Sequence, residues 1–230
     1  MSRKLIIGDI HGCLTTFEAL LDTMNFSKSD KLYLVGDYID RGPDSKGVID
    51  KIMELKDENY NVVAIRGNHE QMLIDDYEAE TLKGWYSNAD EQLLNSFGIR
   101  NLREFPDEYL QFCKKLPLYY MEDEFILVHA GINFNRENPL ENKKDLLWVR
   151  NWYHSIDKDW LGDRIIIHGH TMIPKSDIEE QFANLEVNQY LDIDCGAVVS
   201  RDPLLGYLCC FDLTNEKLHF QENMEVNNKF

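Results

Sequence analysis

KLYLVGDYIDRGPDS, residues 31–45, sets a short apolar run (31–35) directly against a turn of glycine, carboxylates and an arginine. A run this short, closed by Gly36, reads as a buried strand that delivers Asp37, Asp40 and Arg41 to its C-terminal end. The same arrangement occurs on both sides of it. Residues 3–7 lead into Gly8-Asp9-Ile10-His11-Gly12, and residues 61–65 lead into Arg66-Gly67-Asn68-His69-Glu70. Between the runs, Leu14, Phe17, Leu20 and Leu21, then Val48, Ile49, Ile52, Met53 and Leu55, recur at helical spacing. The N-terminal third therefore reads as β-α-β-α-β with its polar residues at strand C-termini, the edge where open α/β sheets bind ligands.

Further along, residues 70–115 read as mainly helical, with a break near Gly84 and turn chemistry at Phe97-Gly98 and Phe105-Pro106. This stretch, about 71–115, is expected to form a helical insert capping the site. Strands return at 125–128 and 164–167, and the pattern becomes β-rich at 190–193, 205–211 and 217–220, with Thr214-Asn215 at a hairpin turn. Residues 1–221 are expected to form a single catalytic domain, and the polar residues 222–230 a frayed tail.

Composition narrows the function. The hydrophobic share of 43% is that of a soluble globular chain, and no run approaches the ~20 apolar residues of a membrane span. The apolar residues near the N-terminus, Leu5-Ile6-Ile7, are also too few for a signal peptide, so a cytoplasmic protein is expected. Cysteines 13, 113, 195, 209 and 210 are odd in number and form no C-x-x-C pair, which favours reduced, buried thiols. The net charge of −17 repels nucleic acid and anionic membranes, so neither is an expected partner, and an anionic substrate needs local attraction.

The polar residues at the strand ends are Asp9, His11, Asp37, Asp40, Arg41, Asn68 and His69. Two later strands add His129 in Val128-His129-Ala130-Gly131 and His170 in His168-Gly169-His170-Thr171. This is a nitrogen and oxygen donor set without thiolate, suited to Mn, Fe, Zn or Ni.

These motifs, in identity and in order, resemble the signature of the PPP family of serine/threonine protein phosphatases, bacterial and phage type, in the calcineurin-like metallophosphoesterase superfamily. The resemblance spans residues 3 to about 200. It implies an α/β fold, two packed β-sheets flanked by helices in a four-layer sandwich, and two divalent metal ions, manganese foremost. Asp9 and His11 match ligands of the first metal, Asp37 the carboxylate bridging both, and Asn68, His129 and His170 ligands of the second. His69 matches the general acid with Asp40 orienting it, and Arg41 and Arg150 (in Leu147-Trp148-Val149-Arg150), together with Asn68, lie where the substrate phosphate is bound. Two metals can ionise a shared water and clamp the attacking and leaving oxygens. The expected reaction is direct attack by that hydroxide on a phosphoserine or phosphothreonine protein or peptide, with phosphotyrosine a further substrate.

The alternatives are a diadenosine tetraphosphate hydrolase, which shares Gly-Asp-x-His-Gly-Cys with residues 8–13, and a broad small-phosphomonoester phosphatase. Asp40 and Glu70 follow the protein-phosphatase pattern, whereas that hydrolase family typically lacks an acid at the first position and has Asp at the second. A catalytically silent scaffold would have lost a ligand, and none is lost. Taken singly, Asp9 and Asp37 read equally well as helix N-caps, His129 and His170 as core histidines, and Asp40 as a partner of Arg41. His168 lies outside the match and reads as a core residue or a support behind the ligands, Cys195 reads as a packed strand residue, and Asp194 as a support behind the ligands. One departure bears on specificity: Trp85 is followed by Asn88-Ala89-Asp90 where bacterial relatives have an Asn-Gly-Gly turn.

Overall fold

Strands β1 (Lys4–Ile7), β2 (Lys31–Leu34) and β3 (Asn61–Ala64) form at the three N-terminal apolar runs and pair in parallel, Leu5 beside Leu32 and Leu32 beside Val62. The structure, a computed structural model, describes residues 2–79 and 91–225. Antiparallel β8 (Tyr207–Asp212) and β9 (Lys217–Glu222) extend this sheet beyond β1, giving the order β3-β2-β1-β8-β9. A second sheet holds β4 (Tyr119–Met121), β5 (Phe125–Val128), β6 (Ile165–His168) and β7 (Tyr190–Asp192) in chain order, parallel except for β4.

Strand alternation divides the core. Ile6, Tyr33, Val35, Cys209 and Phe211 point from the first sheet toward Phe125, Leu127, Ile167 and Leu191 of the second, and the two sheets share one dry layer. The intervening residues Leu5, Ile7, Leu32, Leu34 and Cys210 point outward, onto α1 (Leu14–Thr23) and α2 (Ser45–Asp57), through Phe17, Leu20, Val48 and Ile52. Ile126, Val128 and Ile166 cover the far face of the second sheet with Leu146 of α6 (Lys143–Trp148), Leu161 of α7 (Lys158–Leu161) and Trp152. The expected sandwich of two sheets flanked by helices is the observed fold.

Helices α3 (Asn68–Glu78), α4 (Glu91–Phe97) and α5 (Asp107–Lys115) occupy the segment read as a cap. In its described parts it is a packed wall: Leu73, Leu93, Phe97, Tyr109 and Leu110 join the same cluster as α1 and α2. Gly84, Trp85 and the Asn88-Ala89-Asp90 turn lie outside the described residues. After β6 come α8 (Lys175–Ala183) and α9 (Leu185–Asn188).

The tail read as frayed from residue 222 departs from that expectation as far as Glu225. Its carboxylate accepts from Thr16 N at 2.9 Å and from Thr16 Oγ1 at 3.1 Å, and Asn223 Nδ2 donates to Ala197 O. Polar residues here satisfy donors in the first turn of α1, which composition alone does not reveal. Residues 226–230 lie outside the described part. All five cysteines are free and buried.

Candidate active site

Each parallel strand of the two sheets ends in a turn that carries functional side chains. Asp9 and His11 follow β1, Asp37, Asp40 and Arg41 follow β2, and Asn68 and His69 open α3 after β3. His129 follows β5 and His170 follows β6, so the set is drawn from both sheets and meets at their common edge. Neither Asp9 nor Asp37 caps a helix, since the N-caps of α1 and α2 are Cys13 and Asp44.

Asp37 is the junction. Its ligand atoms lie within 4.8 Å of those of two separate pairs, His11 with His69 and Asp9 with His129, all buried. His11 Nε2 is 3.5 Å from Asp37 Oδ2, and His129 Nε2 is 3.4 Å from Asp37 Oδ1. The two imidazoles are oriented from behind. His11 Nδ1–H donates to Ile39 O at 2.9 Å and His129 Nδ1–H to Val35 O at 3.0 Å, which leaves each Nε2 lone pair facing the carboxylate. Asn68 Oδ1 stands 2.8 Å from His129 Nε2 and 2.7 Å from His170 Nδ1, completing the second half of the site. Asp9 also lies within reach of His129 across Asp37, and its Oδ2 accepts the His170 N–H at 3.1 Å.

Two glycines make this closeness sterically feasible. A Cβ on Gly67 would sit 2.1 Å from Asp37 Oδ1, and one on Gly169 2.0 Å from Asp9 Oδ1. The turns are also strained: His11, Asp37, Asp40, Arg41 and His170 all have positive φ, from 46° to 74°. What holds the Asp37 turn is Glu70, a residue the motif contains but whose purpose needs the fold to be seen. Its Oε2 accepts from Asp37 N at 3.0 Å and Gly67 N at 2.9 Å, and its Oε1 accepts from Tyr38 N at 2.7 Å.

Electrostatics favour a cation. Burial, followed by repulsion from Asp194 and Asp37, pushes the Asp9 carboxyl well above the usual range. For Asp37 burial acts in the same direction, yet the imidazoles of His129, His69 and His11 together hold it below. Burial lowers His11 and His129, and lowers His170 to about 3, so these rings present neutral lone pairs. Asp9 Oδ1 and His170 Nε2 are fully buried with no hydrogen-bond partner among the described residues. Inward-facing acceptors without donors are what a pair of divalent ions would satisfy, so the residues fit such a group.

His69 Nδ1 lies 2.6 Å from Asp40 Oδ2. Burial alone would lower this imidazole, but Asp37 and Asp40 outweigh it and raise it. Arg41 donates toward His11 Nε2 at 3.1 Å and His69 Nε2 at 3.3 Å, which sets a guanidinium between the two rings. Arg150 is exposed at the rim and donates to Thr171 Oγ1 at 2.5 Å. Trp148, 40% exposed, stands edge-on to the His170 ring at 6.0 Å, whereas Trp152 is core. Behind the ligands lie three further buried groups, His168, Asp192 and Asp194. A groove of about 550 Å³ lies at the opposite edge, beside Glu124, Asp163 and Ile165, and contains none of the site residues.

A two-sheet sandwich with carboxylates, imidazoles and an amide converging at one edge defines a metal-dependent phosphoesterase. The family model described as calcineurin-like phosphoesterase matches residues 2–199, and the chain belongs to that family. Among relatives, the symmetrical bis(5'-nucleosyl)-tetraphosphatase of Nitrosospira multiformis is 32% identical over 129 residues, 55% of this chain and 42% of the relative. The chain therefore spans less than half the length of that relative. The asymmetrical bis(5'-nucleosyl)-tetraphosphatase of Anoxybacillus flavithermus is 29% identical over 225 residues, 84% of this chain and 85% of the relative. A serine/threonine phosphatase structure from Saccharomyces cerevisiae superposes with a TM-score of 0.64 at 15% identity, covering 99% of this chain and 82% of the other. At that identity the likeness concerns the fold alone. The relatives' names correct the emphasis of the sequence reading: they speak for the tetraphosphate alternative more than for the protein phosphatase.

Proposed function

We propose that the chain hydrolyses the phosphoanhydride bond of a bis(5'-nucleosyl) tetraphosphate. The observation that carries this reading is the Anoxybacillus relative, which bears that activity in its name and aligns along 84% of this chain. Asp9, His11 and Asp37 are the groups to hold one divalent cation, and Asp37, Asn68, His129 and His170 the groups to hold a second, manganese being the first choice. When bound, such ions supply Lewis acidity toward phosphoryl oxygens and lower the pKa of water. The chain's own residues do the rest. Glu70 fixes the turn that carries Asp37, and Arg41 and Arg150 offer guanidinium forks for phosphate oxygens in an otherwise anionic protein. Arg41 has to turn from the His11 and His69 rings to do so.

A second reading, a phosphoserine or phosphothreonine protein phosphatase, is favoured by one observation, the 2.6 Å contact between His69 and Asp40. A seryl alkoxide is a strongly basic leaving group that needs a proton, and an imidazolium held by a carboxylate can donate it. A nucleotide phosphate leaves without that help.

Turnover of diadenosine tetraphosphate, a phosphoserine peptide and an aryl phosphate by the manganese-loaded protein separates these readings. The proposal expects the dinucleotide to exceed the peptide by at least about 10-fold in kcat/KM, one factor of ten being 1.36 kcal/mol of transition-state stabilisation. The reverse order, together with a larger loss on the peptide than on the aryl phosphate in His69→Asn, would establish the second reading. Similar rates on the peptide and the aryl phosphate, with the dinucleotide left uncleaved, would mark a broad phosphomonoesterase.

A further inference from the structure

Asp194 follows β7 at the same edge as the ligands, but neither half of the site uses it. Its backbone is pressed against the first turn: a Cβ on Gly8 would lie 2.2 Å from Ile193 O and 3.6 Å from Asp194 N. Its carbonyl accepts from Ile173 N at 3.0 Å, which ties it to the loop that follows His170. The residue thus touches the turns of Asp9 and of His170, one from each sheet. Its side chain is 1% exposed. Oδ1 accepts from Gly196 N at 2.9 Å, while Oδ2 is buried with no hydrogen-bond partner among the described residues.

The fold gains little from this arrangement. Removing a carboxylate from water costs several kcal/mol unless it is paired, and Asp9 and Asp37 lie close enough to repel this one. Arg41 and Arg150 offset it in part, though no ion pair involving Asp194 exists among the described residues. The single backbone bond it makes, to Gly196, is one that an asparagine oxygen would make equally well. The charge itself has a use only if positive charge arrives in front of it.

We infer that Asp194 is a positioning residue for the cation site, a fixed negative charge behind Asp9 that raises the affinity of the site for divalent cations. The inference rests on the metal-binding reading of the site and is independent of which phosphate substrate is cleaved. Groups behind metal ligands typically account for 10–100-fold in affinity. The same charge makes the metal-free protein less stable than its neutral isostere would be.

The test is calorimetric titration of manganese into chelator-treated protein without substrate, with melting temperatures of the metal-free forms. Asp194→Asn is expected to bind manganese roughly 10- to 100-fold more weakly while its metal-free form melts at the wild-type temperature or above. Affinity within about 2-fold of wild type would overturn the proposal. Weaker binding with a lower metal-free melting temperature would overturn it too, by assigning the carboxylate to the fold. Should Asp194→Asn not fold, Asp194→Ser, which keeps an acceptor for Gly196, is read by the same rule, and failure of both to fold counts against the proposal. Wild-type protein that binds no manganese removes the site reading as well, an outcome separate from equal binding by both forms.

Discussion

At the scale of single residues the account turns on Asp37 and on what keeps it in place. Its φ of 51° and the positive φ of His11, Asp40, Arg41 and His170 are conformations that cost non-glycine residues roughly 1–2 kcal/mol each. They persist because neighbouring groups over-determine them, and at the Asp37 turn that group is Glu70. Both of its oxygens face backbone N–H donors from the Asp37 turn and from Gly67. Burial and the Asp37 charge push its carboxyl up to about 7, while those donors work in the opposite direction. Glu70→Gln replaces one acceptor with an NH₂ that meets N–H groups head-on. It is expected to lower stability by about 2–3 kcal/mol, as buried donors lose their partner, and to reduce activity by disordering Asp37. Urea denaturation checks the first effect. A variant as stable as wild type would show that the clamp is not needed.

Among the elements, β1 begins with a fork that can be tested by pH. Arg3 donates to both oxygens of Asp30, at 3.0 and 2.7 Å, joining the start of the strand to the turn before β2. That pairing holds the Asp30 carboxyl at about 2, below its ordinary 3.8. A depressed folded-state value means the stabilisation is complete above the unfolded value and disappears as pH falls from about 4 through about 2. Wild type should therefore exceed Asp30→Asn by about 1–2 kcal/mol at pH 5–7, after allowance for the solvent-exposed side of Arg3, and by progressively less in acid. Urea midpoints at pH 6, 4 and 3 check this, and a constant difference would contradict it.

The elements also show what a sequence reader can and cannot see. The three strands that end in Gly8, Gly36 and Gly67 were legible because each apolar run stops at a glycine turn. β4 escaped notice because Tyr119–Met121 is only three residues long, with Tyr119 and Met121 exposed. α8 fully buries only Ile178, with Phe182 packed partly buried beside it, so its apolar stripe is short. In the site, the ligand-type residues were legible from motif chemistry, whereas the purposes of Glu70 and Asp194 depend on partners brought together only by folding. Glu70 grips a turn 33 residues away, and Asp194 sits against Gly8. The expectation of a frayed tail fails as far as Glu225 for the same reason, since Glu225 meets Thr16 across 209 residues of chain.

For the whole molecule, the notable fact is that the site is shared by two sheets. Asp9, His11, Asp37 and Asn68 descend from the five-stranded sheet, His129 and His170 from the four-stranded one. At the other edge Tyr33 donates to Glu122 at 2.6 Å and Lys4 pairs with it at 2.8 Å, so the sheets are already joined there by protein groups. Cations at the ligand edge would join them at the second end. Ligand binding at 100 times Kd stabilises a fold by about 2.7 kcal/mol, which for a chain of this length raises Tm by roughly 5–10 °C. Manganese should produce that rise and chelator should reverse it, as read by calorimetry; an unchanged Tm would mean the sheets are not bridged by metal. With a net charge of −17, such ions are also what lets an anionic substrate approach. The most direct test is anomalous scattering from crystals grown with manganese. Two peaks should flank the Asp37 carboxylate, one on the side of His11 and one within reach of Asn68, His129 and His170; a single peak, or none, would contradict the account.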